Sequence, residues 1–129
     1  MTVKNSSVEE LVNNKRNPKV AIVGAGMSGI LAAIRMQEAG ISDITIFEKG
    51  EDIGGTWRDN RYPGLSCDVP AHLYTYSFAP NPEYSHRYAR GAEIHAYFKR
   101  VAKEYGVYEK VRFNSKLDKS EYKDGKWSL

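Results

Sequence analysis

A glycine-rich turn between an apolar segment and a helical pattern is the feature that most restricts how this chain can fold. Residues Val20–Val23 read VAIV, which suits a strand buried on both faces of a parallel sheet. Gly24–Gly29 follow directly with the spacing GxGxxG. From Met27 the apolar residues recur at helical spacing until Gly40, where a helix C-cap is expected. The glycines are weak evidence alone, but here they join a strand to a helix.

A second apolar segment, Ile44–Phe47, follows the predicted helix. The order strand, helix, strand is typical of a right-handed crossover between parallel strands. We therefore predict an α/β fold, a Rossmann-like parallel sheet with a crossover helix that binds a dinucleotide.

The second half of the chain predicts one long helix and several short strands. Apolar residues keep helical spacing over Ile94–Tyr105. Short strands are predicted at Val111–Phe113 and at Lys116–Leu117. Asp124-Gly125 is a hairpin turn signal, and the strand after it is very short, so we expect the chain to be part of a longer domain.

Length and composition allow one domain and exclude little else. We divide the 129 residues into a polar lead, 1–17, and the N-terminal part of a nucleotide-binding domain, 18–129. The 19 basic and 16 acidic residues are scattered and do not indicate nucleic-acid binding. The oligomeric state is not indicated.

The cysteine and histidine residues indicate the cellular compartment and whether a metal site is expected. Cys67 is the single cysteine, and no segment approaches the roughly 20 apolar residues of a membrane span, so we expect a cytoplasmic protein. His72, His86 and His95 lack metal-ligand spacing, so no metal site is expected.

The glycine turn predicts a diphosphate-binding site. Gly24 allows the tight turn, Gly26 allows close approach of a diphosphate, and Gly29 allows the helix to pack on the strand. The free amides at the helix start, from Met27 and Ser28, and the positive end of the helix dipole would hold the diphosphate.

Glu48 closes the second strand about 20 residues after the last glycine, and it and the next residue, Lys49, are candidate cofactor-binding residues. A carboxylate there can accept hydrogen bonds from both ribose hydroxyls of an adenosine. Its charge would repel a ribose 2′-phosphate, so this first site is not expected to hold NADP. Gly54 and Gly55 return the chain toward the nucleotide, which favours FAD over NAD because ribitol and flavin extend beyond the diphosphate.

The loop that follows carries a family resemblance. Gly54–Asp68 (GGTWRDNRYPGLSCD) is similar to the GGxWxxxxYPGxxxD fingerprint of type I Baeyer–Villiger monooxygenases at every fixed position. Val69–Phe78 and Tyr88–Tyr97 also resemble that family, so the likeness extends from about Lys19 to Leu129 and covers the opening portion of such an enzyme. The related flavin-containing monooxygenases that oxidise nitrogen or sulfur typically lack the YPGxxxD part.

This resemblance implies an FAD- and NADPH-dependent monooxygenase that uses molecular oxygen to convert a ketone into an ester or lactone. It implies that Thr56, Trp57 and Tyr74 line the flavin. It also implies that Asp68 is catalytic, lying beside the flavin and pairing with an arginine from a later part of the chain. That arginine, a second GxGxxG and the motif FxGxxxHxxxW do not occur in these residues, so we expect this chain alone to be inactive.

Other interpretations stay open at this point. They are an N- or S-oxygenating flavin monooxygenase, an NAD-binding dehydrogenase module, and a non-catalytic dinucleotide-binding module. The YPGxxxD feature favours ketone oxidation, and the loop after Gly55 argues against a dehydrogenase. Arg58 and Arg61 are either ordinary loop charges or residues at the mouth of the nucleotide site.

Overall fold

A parallel three-stranded sheet organises the protein, whose computed structural model describes residues 17–129. Its strands are β1 (Val20–Val23), β2 (Ile44–Phe47) and β3 (Val111–Arg112), in the order β1-β2-β3. Helix α1 (Met27–Glu38) connects β1 to β2. The predicted Rossmann-like unit with its crossover helix is therefore confirmed. The predicted polar lead, apart from residue 17, lies outside the described residues.

Within residues 17–129, the other elements are two helices, two 3-10 turns and a hairpin. Helix α2 (Thr56–Asp59) is short, and α3 (Gly91–Glu104) is the long helix predicted around Ile94–Tyr105. Single 3-10 turns occur at Ala71–Leu73 and Tyr108–Lys110. The hairpin predicted at Asp124-Gly125 is confirmed as β4 (Glu121–Lys123) and β5 (Lys126–Ser128), which form a two-stranded sheet of their own.

The predicted strand at Lys116–Leu117 is wrong. After β3 the chain follows the segment that leaves β2, because the amides of Asn114 and Ser115 donate to the carbonyls of Gly50 and Glu48 at 2.9 and 2.8 Å. Asn114 also has a positive φ of 52°, which breaks the extended conformation. Residues 116–120 consequently form no strand.

The core lies between the sheet and the two longer helices. Ile30 and Ile34 of α1, Ile46 of β2, and Ile94 and Phe98 of α3 are fully buried. Burial of each such side chain contributes about 1.5–3 kcal/mol, so α3 is part of the domain core. No helix within residues 17–129 is long and apolar enough to cross a membrane.

A buried tyrosine ties α3 to the segment before it. The Tyr97 hydroxyl accepts a hydrogen bond from the Tyr76 amide and donates one to the Ala79 carbonyl, both at 2.8 Å. Burial raises the pKa of the Tyr97 hydroxyl, so it acts as a neutral group.

We predict that Tyr97→Phe lowers the free energy of unfolding by about 1–3 kcal/mol, because a buried amide and carbonyl lose their partner. Urea unfolding followed by circular dichroism measures the loss. Tyr105→Phe is the matched control, since its hydroxyl lies 3.4 Å from the Phe78 carbonyl oxygen and is only partly buried. Equal losses in the two variants would contradict the role given to Tyr97.

Candidate functional site

Two glycine segments touch at the carboxyl end of β1. Gly29 packs so closely on Gly24 that a side chain there would overlap the Gly24 carbonyl oxygen. The Gly54 amide donates to the Ala25 carbonyl at 2.9 Å. A Cβ on Gly55, whose φ is +52°, would lie 3.2 Å from the Gly26 Cα. The pair Gly54-Gly55 thus returns to the first glycine segment, as predicted from the sequence, and a side chain on Gly55 would crowd that contact.

Helix α1 begins beside this contact with free backbone amides. Its N-cap, Gly26, has no side chain to cap them, and the first helical hydrogen bond runs from the Ile30 amide to the Gly26 carbonyl. The amides of Met27, Ser28 and Gly29 therefore have no acceptor within the helix. No acidic residue lies in the first turn. This helix start suits an anion such as a diphosphate.

Two shallow cavities of about 370 and 360 Å³ adjoin at the glycine turn, and we call them together the groove. They share Val23, Gly24, Gly26 and Gly55. The first also contains Met27, Ser28, Gly29, Gly54, Thr56, Trp57 and Tyr74. The second also contains Phe47, Glu48, Lys49, Arg58, Asp59, Ser115, Lys116 and Leu117. The structure thus brings together all of the predicted site residues except Asp68.

An aromatic pair forms one wall of the groove. Trp57 Nε1 donates to the Tyr74 hydroxyl at 3.1 Å, and the two rings meet edge to face with centroids 5.6 Å apart. Tyr74 also contacts the core residue Phe98 with an edge-to-face geometry, at 6.4 Å between centroids. The core therefore fixes the orientation of this wall.

Glu48 lies at the other end of the groove and is buried, with 3% of its surface exposed. Its Oε2 accepts from the Ala25 amide, and its Oε1 accepts from the Gly50 amide and from Arg58 Nη1, all at 2.8 Å. Burial opposes ionisation, but these hydrogen bonds and the charge of Arg58 outweigh it and lower the pKa of Glu48. Glu48 is thus an ionised carboxylate next to the glycine turn.

Arg58 is not an ordinary loop charge, because it is buried and lines the groove beside Glu48. It is 7% exposed, and besides Glu48 it bonds the Asp59 carboxylate, with Nε at 2.7 Å and Nη2 at 2.6 Å from Oδ1. Arg61 is exposed. Sequence reasoning also missed Ser115–Leu117, for which the signal was available, because ligand sites in such folds lie at the carboxyl ends of parallel strands such as β3.

Helix α3 holds the loop that leads into Gly54. Lys99 Nζ and the Tyr108 hydroxyl donate to the Asp52 carboxylate at 2.6 and 3.1 Å. His95 Nε2 donates to the Ile53 carbonyl at 2.8 Å. Burial alone would raise the pKa of Asp52. The hydrogen bonds from Lys99 and the other donors outweigh it and lower that pKa. These bonds position the backbone that brings Gly54 and Gly55 to the glycine turn.

Asp68 lies away from the groove. It is exposed, contributes to neither cavity, and has no salt-bridge partner within residues 17–129. Its role beside a flavin stays a prediction. In the same part of the chain, no group of three His, Cys, Asp or Glu side chains could hold a metal ion.

Comparison with known proteins identifies the domain. The sequence model of the NAD(P)-binding Rossmann-like domain family matches residues 22–98, which is more than half of the chain. The chain belongs to this family. Its fold and its glycine turn agree with that assignment.

Several proteins with similar sequences or structures are monooxygenases or carry FAD and NADP. The chain is 51% identical over 114 residues to an uncharacterized monooxygenase of Mycobacterium tuberculosis, covering 88% of this chain and 23% of that protein. It is 46% identical over 99 residues to a Baeyer–Villiger monooxygenase of Streptomyces coelicolor, covering 77% and 19%. The structure of OTEMO in complex with FAD and NADP matches with a TM-score of 0.76 and 34% identity, covering 83% and 21%. The resemblance inferred from the fingerprint is confirmed, and the chain spans about a fifth of the length of these relatives.

Because its pKa is lowered, Glu48 should make the free energy of unfolding decrease as the pH falls. Its contribution should be complete above its ordinary pKa of 4.5 and lost as the pH falls through the lower value of the folded state. Between about pH 7 and about pH 3, the free energy of unfolding should therefore fall less steeply in Glu48→Gln than in the wild type. Parallel slopes in urea unfolding series would show that Glu48 is not stabilised as a carboxylate.

Proposed function

We propose that this chain is the FAD-binding portion of an NADPH-dependent flavoprotein monooxygenase that oxidises ketones to esters or lactones. The single observation that carries the proposal is the groove, in which the glycine turn, Gly55, Glu48 and the Trp57–Tyr74 wall meet. The fingerprint Gly54–Asp68 and the Baeyer–Villiger relative support the class of reaction.

The residues present fit FAD along its length. The free amides of Met27 and Ser28 would hold the diphosphate at the start of α1. Glu48 would accept a hydrogen bond from the adenosine ribose, and its charge disfavours a 2′-phosphate in that position. Because Ser115–Leu117 lie on the Glu48 side of the groove, we assign them to the adenine end.

The opposite end of the groove would receive the flavin. Thr56, Trp57 and Tyr74 line that end, and the Trp57–Tyr74 hydrogen bond keeps its wall fixed. FAD when bound supplies electron transfer from NADPH and the activation of oxygen. The contribution of these side chains is to orient the ring and to limit the access of water to it.

We expect the full-length protein to retain FAD and to oxidise NADPH in a ketone-dependent manner, with an ester or lactone as the product. Absorption spectroscopy of the extracted cofactor and product analysis by mass spectrometry check both points. A colourless protein that retains NAD would refute the cofactor assignment. A protein that oxygenates sulfides or amines but no ketone would refute the reaction class.

We further propose that Asp68 acts beside the flavin in the complete enzyme. Its exposure and the lack of an ion-pair partner within residues 17–129 leave its carboxylate free to pair with a cation from elsewhere. The alternative, a turn-capping role, receives no support, since no hydrogen bond from a backbone amide to its side chain occurs in the described part of the chain.

Asp68→Ala in the full-length protein should leave FAD bound but slow the reduction of the flavin by NADPH or the oxygenation that follows. Stopped-flow spectroscopy measures these steps, and a melting curve measures stability. The control is Asp43→Ala, an exposed aspartate at the start of β2 and remote from the groove. Normal rates with a lowered melting temperature, the loss of about 1 kcal/mol expected for a cap, would remove Asp68 from the mechanism.

A further inference from the structure

We propose that Arg58 is a positioning residue of the nucleotide site, which fixes the orientation and the charge of Glu48 so that a single ribose hydroxyl binds the carboxylate. The inference rests on the proposed function, because it concerns the same groove. It goes beyond the sequence-based expectation that Glu48 accepts hydrogen bonds from both hydroxyls of the ribose.

Most of the hydrogen-bond acceptor positions of the Glu48 carboxylate are already occupied by the protein. A carboxylate offers about four acceptor positions, two on each oxygen. Oε1 already accepts from the Gly50 amide and from Arg58, and Oε2 accepts from the Ala25 amide. One acceptor position therefore remains, and it is on Oε2. Both ribose hydroxyls could bind Glu48 only if Arg58 or a backbone amide left it.

The packing of Arg58 holds its guanidinium against Glu48 Oε1. Its guanidinium crosses Gly50 so closely that a side chain on that glycine would overlap it. It also bonds the Asp52 carbonyl through Nη1 and the Asp59 carboxylate through Nε and Nη2. One side chain thus joins the end of β2, the following loop and α2. Several simultaneous contacts fix the position of the guanidinium, and its bond to Glu48 fixes the position of Oε1 in turn.

The charges around Glu48 show why the arginine is needed. Asp59 on α2 adds negative charge, while Lys49 and Lys116 line the same cavity. The other cations nearby have different surroundings. Lys49 is exposed, and Lys116 pairs with Asp118 at 2.8 Å. Arg112 of β3 lies over the Phe47 ring. Within residues 17–129, Arg58 is the cation that forms an ion pair with Glu48. Without it, the Ala25 and Gly50 amides alone would act against burial, so the pKa of Glu48 would be higher than in the wild type.

The test is the pH dependence of FAD affinity in the full-length apoprotein, measured by fluorescence titration from about pH 5 to about pH 8. Wild-type affinity should be nearly constant. In Arg58→Met it should weaken progressively toward low pH, by about tenfold, because a protonated Glu48 loses the charge-assisted bond to the ribose. Arg58→Lys, which keeps the charge, should retain most of the wild-type profile.

Two further variants separate positioning from general stability. Glu48→Gln combined with Arg58→Met removes the titrating group, so the profile should be flat again. Arg100→Met is the matched control, because it removes an exposed arginine paired with Glu104 on α3, away from the groove. Its affinity and pH profile should match the wild type, and melting curves of all variants report folding.

The possible results are distinct. A wild-type protein that does not bind FAD overturns the proposed function and this inference together. Wild-type binding with an unchanged profile in Arg58→Met overturns only the inference. A uniform loss of affinity in Arg58→Met that is independent of pH and accompanied by a lower melting temperature also overturns it, since that result shows a structural role alone.

Discussion

The backbone contact between Gly26 and Gly55 is the constraint on which the rest of this structure depends. It joins the turn after β1 to the loop after β2, and it depends on Gly55, which has a positive φ and whose Cβ would lie only 3.2 Å from the Gly26 Cα. The groove exists because these segments meet beside the free amides of α1. Glu48 joins the same assembly through its bond to the Ala25 amide. A dinucleotide site thus follows from backbone geometry before any ligand is considered.

That contact is supported from two sides. On one side, α3 holds the loop before Gly54 through Lys99 and His95, and its own position is set by the core. On the other side, Arg58 binds Glu48 and the loop after β2. Buried ion pairs are not in general stabilising relative to apolar residues. In our proposal, this pair keeps an ionised carboxylate in a fixed orientation for the adenosine ribose.

Local patterns allowed much of the fold to be predicted from sequence, and non-local contacts explain the failures. Gly26 and the helical spacing after it predicted α1, because a helix depends on neighbours within a few residues. Lys116–Leu117 looked like a strand but forms none, since a strand requires a partner that the sequence does not specify. Arg58 could not be assigned, because its pairing depends on how α2 is placed relative to β2. Asp68 was predicted from a family resemblance alone, and because it has no salt-bridge partner within residues 17–129, its role stays a prediction.

The most direct test of the central claim is a crystal structure of the full-length protein with FAD bound. We expect the diphosphate at the amides of Met27 and Ser28, and one adenosine ribose hydroxyl within hydrogen-bonding distance of Glu48 Oε2. We also expect Arg58 to remain bonded to Oε1. An adenosine bound elsewhere, or a ribose that makes no contact with Glu48, would contradict the account.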